Sequence, residues 1–345
     1  MIRVALTSYG MSGEIFHAPL IEAHPEFELY KVLERNRNES AKKYPHVQVV
    51  KKFEDILEDE LVDVVVVNTP NIYHYEMGKQ ALEASKHVVM EKPFTNTSAE
   101  ADQLIKLAED KGKLLTVFQN RRFDSDFMTV QKILEHELLG YLVEYEAHYD
   151  RYRNFIQQNT WKEESGPGSG ILFNLGSHMI DQALVLFGMP NSITAKLAIQ
   201  REGGKAPDSY HLIMSYSKHQ VLLKSSYLVR DEGPRYKILG NRGTFTKYGL
   251  DTQEDCLKAG QRPVGDHWGV EPPEIWGTLD TEIESLHFMG AVASVKGNYM
   301  LFYDNLAEAV QEKSPLLVKA EEAREVIRMI ELAIKSHQEK QDIAV

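Results

Sequence analysis

Apolar and polar positions follow two periodicities along this chain, and the change from one to the other divides it near residue 119. Residues 2–7 (IRVALT) read as a short apolar strand, followed by a glycine-containing loop and an amphipathic stretch through Ala23. "FELYKVL" repeats the strand pattern, and a polar segment then leads to a short strand around Val49. The β-branched run within Val62–Val67 has the character of a strand buried on both faces, as in a parallel sheet. A helical pattern follows from about His74 to Ser85, then the strand "HVVM". A second helix spans Thr97–Lys111, opened by the capping residues of "NTSAEA", and "LLTVF" ends the series.

Strands alternating with helices predict βαβ units and a doubly wound sheet in residues 1–119. Beyond Phe118 the pattern changes. "DFMTVQKILEHELLG" reads as a helix ending at Gly140, and "YLVEYEAHYDRY" alternates with period two. Several strand-like runs fill Ser192–Tyr248, with few helical stretches between them. They predict an α+β domain over residues 120–345, with a large, mostly antiparallel sheet. Residues 251–285, rich in Gly, Pro and acidic groups, read as a long loop region. Two helices close the chain, near Met300–Glu312 and Ala320–His337, and the last is expected to pack back on the first domain.

The bulk numbers narrow the function. A chain of 345 residues with 43% hydrophobic and 26% charged content is typical of a globular protein with two ordinary domains. A formal net charge of -12 argues against a binder of the nucleic-acid backbone. Cys256 is the only cysteine, which excludes an intrachain disulfide and a cysteine zinc cage and fits a reducing compartment. No signal peptide and no apolar run of bilayer length is visible, so a cytoplasmic protein without a membrane partner is expected. The scattered histidines give no metal-binding spacing, and neither a P-loop nor a hydrolase elbow is present.

Three constellations carry the chemistry. The first is Ser8-Tyr9-Gly10-Met11-Ser12-Gly13, which has the spacing of a dinucleotide fingerprint with serine in place of the first glycine. Gly10 leaves room for a pyrophosphate and Gly13 for close helix–strand packing. Ser8 shapes the turn, at a cost of about 1 kcal/mol if the backbone there needs glycine-like angles. Glu34 follows the second strand where a ribose 2′-hydroxyl is read, which favours NAD. Arg35 beside it suits the 2′-phosphate of NADP, or is a solvated loop charge. The second constellation is Glu91-Lys92-Pro93 at the end of "HVVM", on the ligand edge of such a sheet. Lys92 there can hold a substrate hydroxyl and assist its proton transfer, and Pro93 is a candidate cis proline. The third is Asn174, His178 and Asp181, spaced to share one helical stripe. His178 reads equally as a general base and as a buried, hydrogen-bonded structural histidine.

Four segments in this order, the loop at 8–13, "NTPNIYH" at 68–74, "EKP" at 91–93 and "NLGSHMIDQAL" at 174–184, resemble the Gfo/Idh/MocA oxidoreductases. "QNRRFDSDF" and the segments around residues 165–184 and 233–274 resemble the branch of that family containing NADP-dependent scyllo-inositol dehydrogenase. The resemblance implies a Rossmann domain followed by an α/β domain whose sheet often pairs subunits, hence a dimer or tetramer. It also implies an NAD- or NADP-dependent exchange of hydride with a secondary alcohol of a polyol, cyclitol or sugar. By motif, Lys92 would bind the reacting hydroxyl and His178 would move its proton. Thr69, Pro70, Asn71, His74 and Glu91 would line the nicotinamide side, and Asn120, Arg121, Tyr152 and Arg153 are cofactor or substrate candidates by neighbourhood. Asn174 stands where many members carry aspartate, and an amide orients the histidine without offering a countercharge. That departure keeps open a cofactor-binding sensor with weakened turnover, and the fold that the resemblance implies keeps open an NAD-dependent glycoside hydrolase.

Overall fold

The computed structural model of the chain describes residues 1–158 and 160–345. Its first half runs β1 (Ile2–Leu6), α1 (Ala18–Ala23), β2 (Phe27–Leu33), α2 (Glu39–Lys43), β3 (Gln48–Val50), α3 (Glu54–Leu57), β4 (Val64–Val67), α4 (His74–Glu83), β5 (His87–Met90), α5 (Ser98–Lys111) and β6 (Leu115–Val117). Then come α6 (Ser125–Glu135), β7 (Leu142–His148), α7 (Ser177–Phe187), β8 (Ser192–Ala198), β9 (Ser209–Ser215), β10 (Gln220–Ser226), β11 (Tyr236–Gly240) and β12 (Gly243–Lys247). The chain ends with α8 (Gln253–Lys258), β13 (Gly277–Ile283), β14 (Leu286–Val292), α9 (Met300–Val310), α10 (Ala320–Glu339) and β15 (Ile343–Ala344). These elements form two compact units of interleaved segments. One comprises Met1–Phe123, Thr252–Trp268 and Asn298–Glu325; the other comprises Asp124–Asp251, Gly269–Gly297 and Val326–Val345.

In the first unit six parallel strands lie in the order β3-β2-β1-β4-β5-β6, so the doubly wound sheet switches direction between β1 and β4. Val64–Val67 are each 0% exposed, as the unbroken β-branched run requires of a strand covered on both faces. Thr97 caps α5 with a reciprocal capping box to Glu100, and Gly112, at φ 60°, ends it. Segments from late in the chain complete this core: Trp268, Tyr299, Phe302, Tyr303, Leu306 and Val318 pack with Phe16, Phe27 and Phe118. Phe118 meets Phe302 edge-on at 4.9 Å, and Thr116 Oγ1 donates to Val318 O at 2.7 Å across 202 residues.

The second unit is built on nine strands in the order β14-β13-β12-β11-β7-β10-β9-β8-β15. Only β7 and β10 pair in parallel, so the sheet is mixed and mostly antiparallel. Tyr145 and Ala147 of β7 are buried while Glu144, Glu146 and His148, which alternate with them, stay partly exposed, which is the period-two pattern read from "EYEAH". Two expectations are corrected here. The helix expected to reach Gly140 stops at Glu135; Glu137 then turns at φ 50° and Gly140 at φ 73°. The left-handed angle at Gly140 favours glycine, and a Cβ there would lie 2.2 Å from Asn241 Oδ1, so that side chain would have to move. Residues 251–285 are not one long loop, since they hold α8, all of β13 and the turn into β14.

Candidate active site

Parallel strands end on one edge of their sheet, and ligands of open α/β sheets bind there. The loop Ser8–Gly13 follows β1, Glu34 and Arg35 follow β2, and Thr69–His74 follow β4. Glu91–Pro93 follow β5, and Asn120–Arg121 follow β6. The topology therefore gathers every cofactor candidate of the first unit on one edge.

The glycine loop is shaped by space rather than by backbone angle. Neither Gly10, Gly13 nor Ser8 has a left-handed backbone, so Ser8 carries no such strain and the expected cost of about 1 kcal/mol does not arise. Ser8 Oγ accepts from Gly10 N at 3.1 Å, and Ser8 O accepts from Asn68 Nδ2 at 2.8 Å. Asn68 is fixed in turn by Thr7, whose Oγ1 donates to Asn68 Oδ1 at 3.3 Å and accepts from Asn68 N at 3.0 Å. A Cβ on Gly13 would lie 2.4 Å from Ser8 O and 2.8 Å from Asn68 Nδ2, so this cradle admits only glycine. The helix that follows opens with a π turn at Gly13–His17, where Ala18 N donates to Gly13 O. Tyr9 packs against the core of this unit, while Met11 is exposed and Ser12 sits at the start of the turn.

Glu34 is placed differently from what its position suggested. Its Oε1 accepts from Ser40 N at 2.9 Å and from Ser40 Oγ, and its Oε2 accepts from Glu39 N at 2.9 Å. The carboxylate thus caps the start of α2. Lys51 Nζ braces the same loop, donating to Glu34 O, Arg37 O and Asn38 Oδ1 at 2.9, 2.8 and 2.6 Å. Arg35 and Arg37 are exposed on that braced loop. The weight that Glu34 lent to NAD finds no support in this geometry.

At the end of β5 the Lys92–Pro93 bond is cis, as anticipated for this turn. Buried His74 ties two loops together: Nδ1 lies 2.9 Å from Pro93 O and Nε2 2.9 Å from Thr69 O. Burial lowers its proton affinity against the raising influence of those carbonyls and of Glu91. Glu91 Oε1 lies 3.0 Å from His17 Nε2, and Oε2 accepts from Lys92 N at 3.0 Å. Burial pushes the Glu91 carboxyl up, but the His17 hydrogen bond, together with Lys92 and His74, outweighs it and holds the group below its usual range. Asn71 and Asn120 are buried beside these turns. Arg121, expected at the cofactor, has its guanidinium engaged by Glu254 and lies 3.4 Å from Tyr299 Oη, which makes it a brace of this unit.

In the second unit α7 is preceded by a π turn at Leu172–Gly176, and Asn174 lies within it. The single α-helical stripe expected for Asn174, His178 and Asp181 is therefore interrupted before His178. His178 and Asp181 are both buried on α7, with Leu175, Met179, Ile180 and Ala183 supplying apolar packing. Gln182 anchors the helix, accepting from Tyr236 Oη at 3.0 Å and Arg235 Nη2 at 3.2 Å. Asn174 Nδ2 donates to Tyr227 Oη at 3.4 Å, and the Arg153 guanidinium lies 5.9 Å from the same ring. Tyr152 is exposed and accepts from Arg230 Nη2 at 2.6 Å, with that guanidinium 4.1 Å from its ring centre. So Asn174, Arg153 and Tyr227 form one cluster, and Tyr152 pairs with Arg230. His17, Asn68, Ser40, Tyr227 and Tyr303 were missed from sequence. Only Asn68 lay inside a recognised motif; Ser40 reaches Glu34 six residues away, and His17, Tyr227 and Tyr303 make contacts 53 to 286 positions apart. Among the described residues no group of three metal-ligating side chains is placed to hold a metal ion, and no helix is long and apolar enough to cross a membrane.

Comparison with known proteins finds relatives over both halves of the chain. Residues 2–119 match the family description "Oxidoreductase family, NAD-binding Rossmann fold", and residues 131–345 match "Oxidoreductase family, C-terminal alpha/beta domain". Among curated proteins, scyllo-inositol 2-dehydrogenase (NADP(+)) IolW of Bacillus subtilis is 41% identical over 342 residues, spanning 99% of this chain and 95% of that protein. D-glucoside 3-dehydrogenase of Escherichia coli is 29% identical over 192 residues, 55% of each chain. Among solved structures, the oxidoreductase yvaA of Bacillus subtilis superimposes with a TM-score of 0.97 at 41% identity, covering 100% of this chain and 98% of that one. An oxidoreductase of Bacteroides fragilis gives 0.93 at 44% identity, with both chains fully covered. With a switch-point glycine cradle, an EKP turn and family matches over both halves, the chain belongs to the Gfo/Idh/MocA family of NAD(P)-binding oxidoreductases.

Proposed function

We propose that this protein is an NADP-dependent dehydrogenase acting on a secondary alcohol of a polyol, cyclitol or sugar. The observation that carries the reading is the cradle at Gly13, where a Cβ would strike Ser8 O at 2.4 Å, on the same sheet edge as the Lys92–Pro93 turn. These residues fit a dinucleotide: a side-chain-free loop leading into a helix offers backbone amides to a pyrophosphate. When bound, the nicotinamide supplies or accepts the hydride.

The chain's own residues do the rest. Lys92 orients and polarises the reacting hydroxyl through its ammonium, and His178 exchanges that hydroxyl's proton at a ring nitrogen. Asn174 orients its neighbours as a neutral donor and leaves the imidazolium without a countercharge on that residue. Preference for NADP rests on the loop after β2. Glu34 spends its carboxylate on α2, while Arg35 and Arg37 present two exposed guanidinium groups that suit a 2′-phosphate. IolW, the 41% identical relative, carries NADP(+) in its name.

The test is a panel of inositol isomers and common sugars with NADP and NAD, followed by the absorbance of the reduced nicotinamide. NADP-dependent turnover of at least one polyol is expected, and none with either cofactor overturns the reading. Lys92→Met should retain dinucleotide affinity and lose on the order of a thousandfold in kcat. Arg35→Ala with Arg37→Ala should raise the KM for NADP roughly tenfold or more and leave that for NAD unchanged.

A further inference from the structure

Behind the Lys92–Pro93 turn lies a buried chain of polar groups with no part in the roles above. His17, 0% exposed, closes the π turn that follows the glycine loop. Its Nδ1 lies 2.6 Å from Tyr303 Oη, and its Nε2 lies 3.0 Å from Glu91 Oε1. The other Glu91 oxygen accepts from Lys92 N. Phe118 packs on the His17 ring at 4.5 Å between centroids, so the ring has little freedom to rotate.

We propose that His17 and Tyr303 are positioning residues that act on Lys92 through Glu91, fixing the orientation of its carboxylate at the Lys92–Pro93 turn. The inference rests on the reading of Lys92 given above. The direction of the chain follows from donor and acceptor chemistry. A carboxylate only accepts, so Nε2 carries a proton and donates to Glu91. Tyr303 is fully buried, and burial, followed by the charge of Glu91, holds its hydroxyl far above the ordinary phenol range. The phenol therefore remains an O–H, and its oxygen lies 2.6 Å from the second ring nitrogen, Nδ1. The chain runs from Tyr303 Oη to His17 Nδ1, from His17 Nε2–H to Glu91 Oε1, and from Lys92 N–H to Glu91 Oε2. This is the arrangement by which a ring held from behind keeps a functional carboxylate in one pose.

The groups facing Glu91 come from each element packed on it: His17 from the π turn, His74 from α4 and Lys92 from its own turn, with Tyr303 of α9 acting through His17. Removing the His17 donor leaves burial less opposed, so the Glu91 carboxyl takes up a proton at higher pH and its charge beside Lys92 is lost earlier.

The experiment compares wild type with His17→Phe, His17→Gln and Tyr303→Phe. Phenylalanine removes both hydrogen bonds, whereas glutamine can accept from Tyr303 and donate to Glu91. Expected for His17→Phe is a fall in kcat of roughly tenfold or more. Its dissociation constant for NADPH, read by nucleotide fluorescence, should stay within about threefold, and the acid limb of kcat/KM should move up by about one pH unit. His17→Gln should restore the limb, and Tyr303→Phe should move it in the same direction by less. An acid limb unmoved in both His17→Phe and Tyr303→Phe overturns the proposal. Should His17→Phe fail to fold, Tyr303→Phe, which loses one oxygen, carries the test alone. A second readout needs no turnover: the Glu91 carboxyl is titrated by carbon NMR in wild type and variants. An upward shift supports the chain even if no polyol is a substrate, and an unmoved titration rejects it whatever the substrate proves to be.

Discussion

At the scale of single residues, the departures from the family pattern have separate physical meanings. Ser8 replaces a glycine where the backbone needs none, and its hydroxyl accepts from Gly10 N. Gly13 tolerates no such exchange, because the atoms around its missing Cβ are the Ser8 carbonyl and the Asn68 amide. Gly13→Ala should lower thermal stability by about 1–3 kcal/mol through overpacking. Displacing the loop should also weaken nicotinamide dinucleotide binding at least tenfold, read by fluorescence titration. The sequence disclosed the glycine spacing and Lys92 because each is a local pattern. It misread Glu34, because spacing places a carboxylate after β2 but does not reveal that the amides of Glu39 and Ser40 reach it first. The pairing of Arg121 with Glu254 was hidden for the same reason, the two lying 133 positions apart.

Elements were legible to the extent that their signals are local. The four valines of β4 and the capping box of α5 announce themselves, since burial on two faces and reciprocal caps leave direct traces in composition. The β13–β14 hairpin left none. β14 is largely exposed, with Leu286, Phe288 and Met289 facing outward, so alternation is lost, and the turn is Glu284-Ser285 rather than a glycine pair. Both turn residues adopt the left-handed region, at φ 48° and 68°. Glu284→Asn with Ser285→Gly supplies residues suited to those angles. The double variant should stabilise the unit by about 1 kcal/mol in chemical denaturation without altering kinetics.

At the scale of the whole molecule, several carboxyl groups are held ionised by the fold. Glu254 is the sharpest case: burial raises it, but Arg121 and Lys258 prevail and hold it at about 2, against an ordinary value of 4.5. A folded value below the unfolded one stabilises the protein above about pH 4.5, and that contribution drains away as pH falls towards 2. Its size is on the order of 3 kcal/mol. Glu91 and Glu146 shift in the same direction, so the acid loss accumulates. Glu254→Gln should be less stable than wild type near neutrality, and the gap should narrow as urea melts are taken from pH 5 to pH 2.

The hydrogen bond from Thr116 to Val318 also has a consequence for how the chain is made. Trp268, Tyr299, Phe302 and Tyr303 fill the core around β1, β2 and β4, yet the ribosome delivers them long after those strands have emerged. At synthesis rates of about 5–20 residues per second, the 202 positions between Thr116 and Val318 take roughly 10–40 s. During that interval Phe16, Phe27 and Phe118 lack the aromatic partners that cover them in the finished unit. A fragment of residues 1–123 should accordingly bind hydrophobic dye and show no cooperative melt, and addition in trans of residues 252–345 should not restore NADP binding at micromolar concentrations. The core of the nascent nucleotide-binding unit thus stays incomplete until the last quarter of the chain arrives to close it.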